Sequence, residues 1–432
     1  MKIAKFRLLI FATITCLFSC NSSQLLGQKD DAASYVAPNL AESQQLIFET
    51  VWADVNDTYI RKDLGGADWE QINQEYADRL DPNMSQIDFH QLLKEMVAEI
   101  PDSGIQLLSR QERIDQALNN FQPFNGIGPF VAVRDRVDEE RRLIVLHVIP
   151  GSPAAEAGLR SHDAILSIDG AEVKLGEGKA ALNRLNGAEG SDLQLLVRSP
   201  QQEPRIVTIT RQFIRSETGG LRSYVLPQTN ILYIAFPPHE DRSVLNEFAN
   251  VLDQLQAQDA QNKGLIFDMR LMTGEQRSAI FQLLPLFVDG DIALRNNQGV
   301  NNSITIDGMA SPLQESEQVA MAIIVGRETA GPAELFAAAL QDQGRAVVIG
   351  QTTAASLEEF EAHFLPDGSQ LIMPISTLIT TNRQRDVGQL GVEPDVLVET
   401  DWDEITSVYD PAIDQAKKSI FTMLGVTEPN DG

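Results

Sequence analysis

Cysteine is nearly absent: the chain has two in 432 residues, Cys16 and Cys20. The rest of the chain can therefore form no internal disulfide and no thiolate-bound metal site. No metal or cofactor is expected anywhere. Positive charge is also short, with 34 Lys and Arg against 61 Asp and Glu, a formal net charge of −27. Such a chain repels nucleic acid and anionic lipid, and no basic run reverses this locally, so a nucleic-acid partner is excluded. The plainer source of the acidity is solubility or a salt-rich habitat. Two further absences fall close together. No serine occurs from Val319 to Ala355, and no lysine between Lys263 and Lys417.

The amino terminus carries what basic bias there is. Lys2, Lys5 and Arg7 precede the apolar run Leu8 to Phe18, which is too short and wrongly flanked to span a membrane. It reads as a secretory signal. Its end, Leu17-Phe18-Ser19-Cys20, resembles a bacterial lipobox with an unusual Phe18. Cys20 is thus a candidate lipidation site, and the protein is expected to be exported and held at a membrane by acyl chains. An ordinary signal cleaved slightly later is the alternative. Asn21 in place of Asp would direct a Gram-negative lipoprotein to the outer membrane, on the periplasmic side. A polar linker follows, over 21–40.

Beyond it, Ala41 to Tyr59 has helical period, with Leu46, Ile47, Val51, Val55 and Tyr59 on one face. Trp69 to Leu80 and Phe89 to Ile100 read as two more helices, with Asp68 and either Ser85 or Asp88 as N-caps. Further on, Leu232 to Phe236 and Gly264 to Arg270 are strands, while Ser243 to Ala257 and Glu275 to Phe287 are helices. Ala322 to Gly350 then reads strand, turn, helix, strand. Pro332 suits a first helical position, Glu334 the positive end of the helix dipole, and Gly344 the stop. This alternation implies a largely parallel α/β unit. Asp410 to Met423 is a terminal helix.

Two stretches carry resemblances. Gly126-Ile127-Gly128, Val148 to Ala154, Ala157-Gly158-Leu159, Asp163 to Gly170 and Leu185-Asn186-Gly187 resemble a PDZ domain of the permuted bacterial kind. Such domains bind a polypeptide C-terminus as an added strand, with a Gly-rich loop offering N–H groups to the carboxylate. Here that loop supplies Gly126, Ile127, Gly128 and Phe130; Pro129 removes one donor. His162 stands where a glycine is usual and is expected to be a tolerated surface turn residue.

The second stretch, with Glu334, Leu335 to Leu340, Gln341-Asp342, Gly344-Arg345-Ala346 and later Gly391-Val392-Glu393-Pro394-Asp395, resembles the C-terminal processing peptidases, or tail-specific proteases. The resemblance implies a crotonase- and Clp-like α/β peptidase core with an inserted PDZ β-domain and a helical N-terminal region. The expected divisions are 1–20 signal, 21–40 linker, 41–115 helical region, 116–213 PDZ, 214–410 peptidase, and 411–432 terminal helix and tail.

The family's chemistry does not carry over. Its nucleophile position falls on Gly331, its lysine position on Ser356 and its glutamine position on Phe360. The oxyanion positions are Pro332, which has no N–H, and Gly274, followed by the anionic Glu275. The family's histidine loop is Pro101 to Ile105 here. Asp268 and Arg270 are expected to form a structural ion pair. A Ser356–His363–Asp367 relay has no support in the spacing. The expected function is therefore a peptide-binding or scaffolding relative without catalysis, meeting polypeptide C-termini, an active peptidase or another envelope protein. The alternative is a working serine endopeptidase with a relocated nucleophile, Ser356, Ser369 or Ser376.

Overall fold

Apolar spacing sets the first helix, Leu40–Thr58, but its buried stripe differs from the expected one. Gln44, Ile47, Phe48, Val51 and Val55 face inward, while Leu46 is 49% exposed. The computed structural model describes residues 40–427 apart from 103, 122–124, 135–141, 175, 176, 178, 214–219, 239–242, 258–262, 274–278, 312, 314–318, 401, 407 and 408. The signal with Cys20, the linker up to residue 39, and the Gly274–Glu275 pair lie outside the described residues.

Helices Trp69–Ala77 and Gln86–Ala98 follow, capped by Asp68 and Ser85. These helices do not form a core of their own. They share one with Leu107, Leu365, Leu371 and Met373. The strand Gln106–Leu108 pairs antiparallel with Gln370–Ile379, which also pairs with Glu359–Phe364. A polar clasp fixes the junction: His90 Nε2 lies 2.8 Å from Asp367 Oδ2, and Ser369 Oγ donates to Asp367 Oδ1 at 2.6 Å.

The expected PDZ domain is an antiparallel sheet in the order Pro129–Arg134, Arg142–Val148, Ala164–Ile168, Asp192–Arg198, Arg205–Thr210. One face encloses Ile127, Leu143, Ile165, Leu193 and Leu195. The other carries Phe130, Ala132, Ile144, Leu146 and Leu166, and meets Leu271 and Trp402 of the peptidase part. His162 is a correction. It is no surface turn residue, because its ring packs 4.4 Å from that of Trp402 at this junction.

The peptidase sheet runs Arg222–Val225, Ile231–Ala235, Lys263–Asp268, Val319–Val325, Val347–Gly350, Val396–Leu397. All pairs but the first are parallel. Its central strands are buried throughout, as the unbroken run VAMAIIV requires of a sheet covered on both faces. Helices Ser243–Ala257 and Pro332–Asp342 cover one face, where Phe248, Phe267, Phe287 and Phe336 pack with ring centroids 5.6–6.2 Å apart. Helix Pro411–Leu424, capped by Asp410, covers the other. The helix expected to end at Phe287 is a 3-10 segment, Ala279–Leu286. Pro285 inside it cannot donate an α-helical bond.

Burial disfavours the charge on Asp367, yet the hydrogen bonds from His90 and Ser369 outweigh it and hold the carboxyl well below its usual range. Its contribution is therefore complete above an unfolded value of about 4 and is lost as pH falls further, through the folded value. Asp367→Asn should lower the urea midpoint at pH 7, and the gap to wild type should narrow below about pH 4.

Candidate active site and peptide groove

The turn after Val319–Val325 is built by hydrogen bonds to the neighbouring strand. Thr329 Oγ1 accepts from Gly326 N–H and donates to Met269 O, both at 2.9 Å, and Ala330 N–H donates to Met272 O at 2.9 Å. Gly350, ending the next strand, has φ 123°, and a Cβ there would lie 2.0 Å from Val325 O. The turn closes at Gly331, with φ 58° and ψ −127°, and helix Pro332–Asp342 begins at once. That backbone conformation is relaxed for glycine and strained for a residue with a side chain. It is the type of sharp strand-to-helix turn on which hydrolases present a nucleophile, but Gly331 supplies no side chain.

The structure does bring the two family dyad positions together. Gly331 N–H donates to Ser356 Oγ at 2.8 Å. Both belong to a network centred on Glu334, which is fully buried. Glu334 Oε2 accepts from Gly331 N–H at 2.9 Å, Ser356 N–H at 2.9 Å and Ser356 Oγ at 2.6 Å. Glu334 Oε1 accepts from Thr353 Oγ1 at 2.5 Å and Ala355 N–H at 2.8 Å. Thr353 Oγ1 in turn accepts from Val392 N–H at 2.8 Å. The carboxylate thus ties the helix start to the loop after Val347–Gly350 and to the Gly391–Asp395 signature. The sequence placed Glu334 only as a favourable charge at a helix start. The stronger signal was its third position in the helix, from which a glutamate reaches back to the cap residue's N–H.

Chemically, the turn lacks an oxyanion donor at Pro332. Phe360, at the family's glutamine position, is half exposed, and its ring closes on the Pro101–Ile105 loop, with Cε1 3.1 Å from where a Gly104 Cβ would be. Within that loop Asp102 accepts from Tyr59 Oη at 2.6 Å and from Gly104 N–H at 2.8 Å. Burial, then the Asp102 charge, pushes the nearby Glu358 carboxyl up. Ser369 and Ser376 are buried and donate to Asp367 and Glu359. His363 lies against Asp54 and Asp367 against His90, so Ser356, His363 and Asp367 form no relay. Among the described residues no group of three or more His, Cys, Asp or Glu is placed to hold a metal ion.

The expected ion pair is present and larger than foreseen. Arg270 donates through Nε to Asp268 Oδ1 at 2.9 Å and through Nη2 to Asp410 Oδ2 at 2.7 Å, and Tyr233 Oη donates to Asp268 at 2.6 Å. Burial works against the Asp268 charge, but Arg270 beside it holds the carboxyl below its ordinary value. The other framework residues are anchors too. Asp342 accepts from Thr381 Oγ1 and from the N–H groups of Asn382 and Arg383 at 2.8–2.9 Å. Arg345, pushed down to about 10 by burial, donates to the carbonyls of Leu313 and Val319.

In the PDZ domain the loop residues take distinct places. Gly126 pairs with Gln212, and Ile127 is buried in the core. Gly128 has φ 94°, and its carbonyl accepts from Ile149 N–H at 3.0 Å. Phe130 packs against His147 and faces the peptidase part, not the PDZ core. The strand they open, Pro129–Arg134, is the edge of its sheet.

Glu334→Gln would set an amide NH₂ among backbone N–H donors and leave buried groups unmatched. Its expected cost is about 3 kcal/mol in denaturant unfolding, against about 1 kcal/mol for Ser356→Ala.

Comparison with known proteins supports this architecture in three places. Peptidase family S41 matches residues 230–398, the Tricorn protease C1 domain 41–98, and a PDZ domain 144–209. A carboxyl-terminal-processing protease of Synechocystis is 26% identical over 388 residues, covering 89% of this chain and 87% of that protein. A solved photosystem II D1 C-terminal processing protease superimposes with a TM-score of 0.60 at 21% identity, covering 86% of this chain and 97% of the other. A putative S41 protease from Bacteroides fragilis gives 0.52 at 14% identity, covering 88% and 98%. The helical region, PDZ domain and peptidase core are thus matched in order, an arrangement that makes the chain similar over most of its length to the carboxyl-terminal-processing proteases with their S41 core.

Proposed function

We propose that this chain is a non-cutting member of the family that binds polypeptide C-termini. One observation carries the reading: the turn that would present a nucleophile ends in Gly331 and Pro332, with neither an attacking oxygen nor an oxyanion N–H. Loss of a nucleophile or base from a serine protease costs on the order of 10⁶ in turnover. The binding half rests on the place of Pro129–Arg134 at the end of its sheet order and on the Gly126–Phe130 loop, where a peptide strand would add.

A second reading has one observation in its favour. The exposed Ser356 hydroxyl donates to Glu334 at 2.6 Å, a hydroxyl beside a proton acceptor. Against it, a carboxylate offers about four lone-pair sites, and Glu334 already meets Thr353, Ala355, Gly331 and Ser356. Pro332, at the oxyanion position, has no N–H to offer.

A fluorophosphonate probe should leave the protein unlabelled; labelling that vanishes in Ser356→Ala would establish the relocated nucleophile instead. Fluorescence anisotropy with an apolar-ended peptide should show binding that weakens about tenfold, or 1.4 kcal/mol, when its C-terminus is amidated. Equal binding of the two forms would remove the carboxylate from recognition.

We further propose that the protein is exported and anchored through acyl chains on Cys20, on the periplasmic side of an outer membrane, where an active peptidase or another envelope protein would be its partner. The Leu17–Cys20 motif and Asn21 support this, and among the described residues no helix is long and apolar enough to cross a membrane. Metabolic incorporation of labelled palmitate should be lost in Cys20→Ala.

A further inference from the structure

We infer that Trp402 is a docking latch: gripped by His162 and stacked with Arg270, it fixes the PDZ domain against the peptidase core through one small contact whose release frees the domain without unfolding either part. The contact is compact. On the PDZ side it uses the outer sheet face, with Phe130, Ala132, Ile144 and Leu146, and in the same cluster the peptidase core contributes Leu271 and Trp402. Beside it the two parts stand apart around a cavity of about 1220 Å³, lined by Val148, Arg160 and His162 from one and Tyr224, Arg270 and Tyr409 from the other. Among the described residues the docking therefore rests on this plug beside the cavity.

Trp402 is held on three sides. Its Nε1–H donates to Val145 O at 3.1 Å, and its carbonyl accepts from His162 Nδ1–H at 2.8 Å. The His162 ring lies 4.4 Å away at 30°, and the Arg270 guanidinium carbon 5.0 Å from its ring centre. Arg270 is itself immobilised by Asp268 and by Asp410, which caps helix Pro411–Leu424. On the peptidase side the contact is thus tied to the start of that helix.

His162 marks the PDZ half. Its φ of 75° is a conformation that disfavours any side chain but glycine's bare hydrogen. A ring kept at such a position argues for the contact that ring makes. Burial pushes the imidazole down, and the nearby Arg270 charge adds to this, opposed by the Trp402 carbonyl, Asp410 and Asp268. The neutral ring can donate from Nδ1 without placing a second cation beside Arg270. Because Phe130 belongs to the sheet's edge strand, docking also sets where that edge lies relative to the Gly331 turn. The latch stands whether or not that edge binds a peptide.

Hydrogen–deuterium exchange on the full chain reads the latch across the boundary. His162→Gly suits the backbone and should keep the PDZ fold, yet residues 402–406 in the other part should exchange about tenfold faster. In Trp402→Ala, residues 160–166 should do the same, while Asp192–Arg198 and Arg205–Thr210, at the far end of the PDZ sheet, keep wild-type protection. Unchanged exchange across the boundary in both variants would overturn the latch. So would acceleration spread equally over the far strands, which reports unfolding.

Discussion

A carboxylate taken out of water must have its lone pairs met by donors, and this requirement organises the centre of the molecule. Glu334 satisfies it with two hydroxyls and three backbone N–H groups drawn from the helix start and from residues 353–356. That loop has no regular structure, and Ala355 within it takes a positive φ. The carboxylate holds it in place. Two of the five donors lie outside the nucleophile and base positions, and two of the other three are backbone N–H groups that do not depend on the side chain. The turn can therefore lose its chemistry and keep its shape, since nothing in the anchor needs an oxygen at Gly331 or an ammonium at 356.

A second charged centre does the same for the domain arrangement. Asp268 and Asp410 hold Arg270 in one orientation, and Tyr233 closes the remaining side of Asp268. With partners on each side the buried charges are compensated, where a lone pair at that depth would gain little. The fixed guanidinium gives Trp402 a firm surface, and Trp402 gives the PDZ sheet its seat. The family resemblance read from Glu334, Asp342 and Arg345 is, in physical terms, a resemblance of anchors.

Much of the architecture was legible because its signals are local. Capping side chains at Asp68 and Ser85 and the unbroken apolar strand before Gly326 each act within a few residues. The failures have equally definite causes. Leu46 fits a helical stripe as well as Phe48 does, and only the packing partner decides which is buried. The stretch expected to be a helix ending at Phe287 is a 3-10 segment, with Pro285 near its end. Nothing local in the helical N-terminal region says that its apolar face is completed by Leu365, Leu371 and Met373, far along the chain.

The sequence by itself determined which atoms the turn can offer: no hydroxyl at 331, no N–H at 332, no lysine from 264 to 416. These are covalent facts, and no folding changes them. Tertiary structure alone decided which groups stand beside one another. It set the Ser356 hydroxyl against the Gly331 amide and a carboxylate, and the His162 ring against a tryptophan 240 positions away. The reason is that a residue type is written locally, whereas proximity comes from sheets and helices packing across the whole chain.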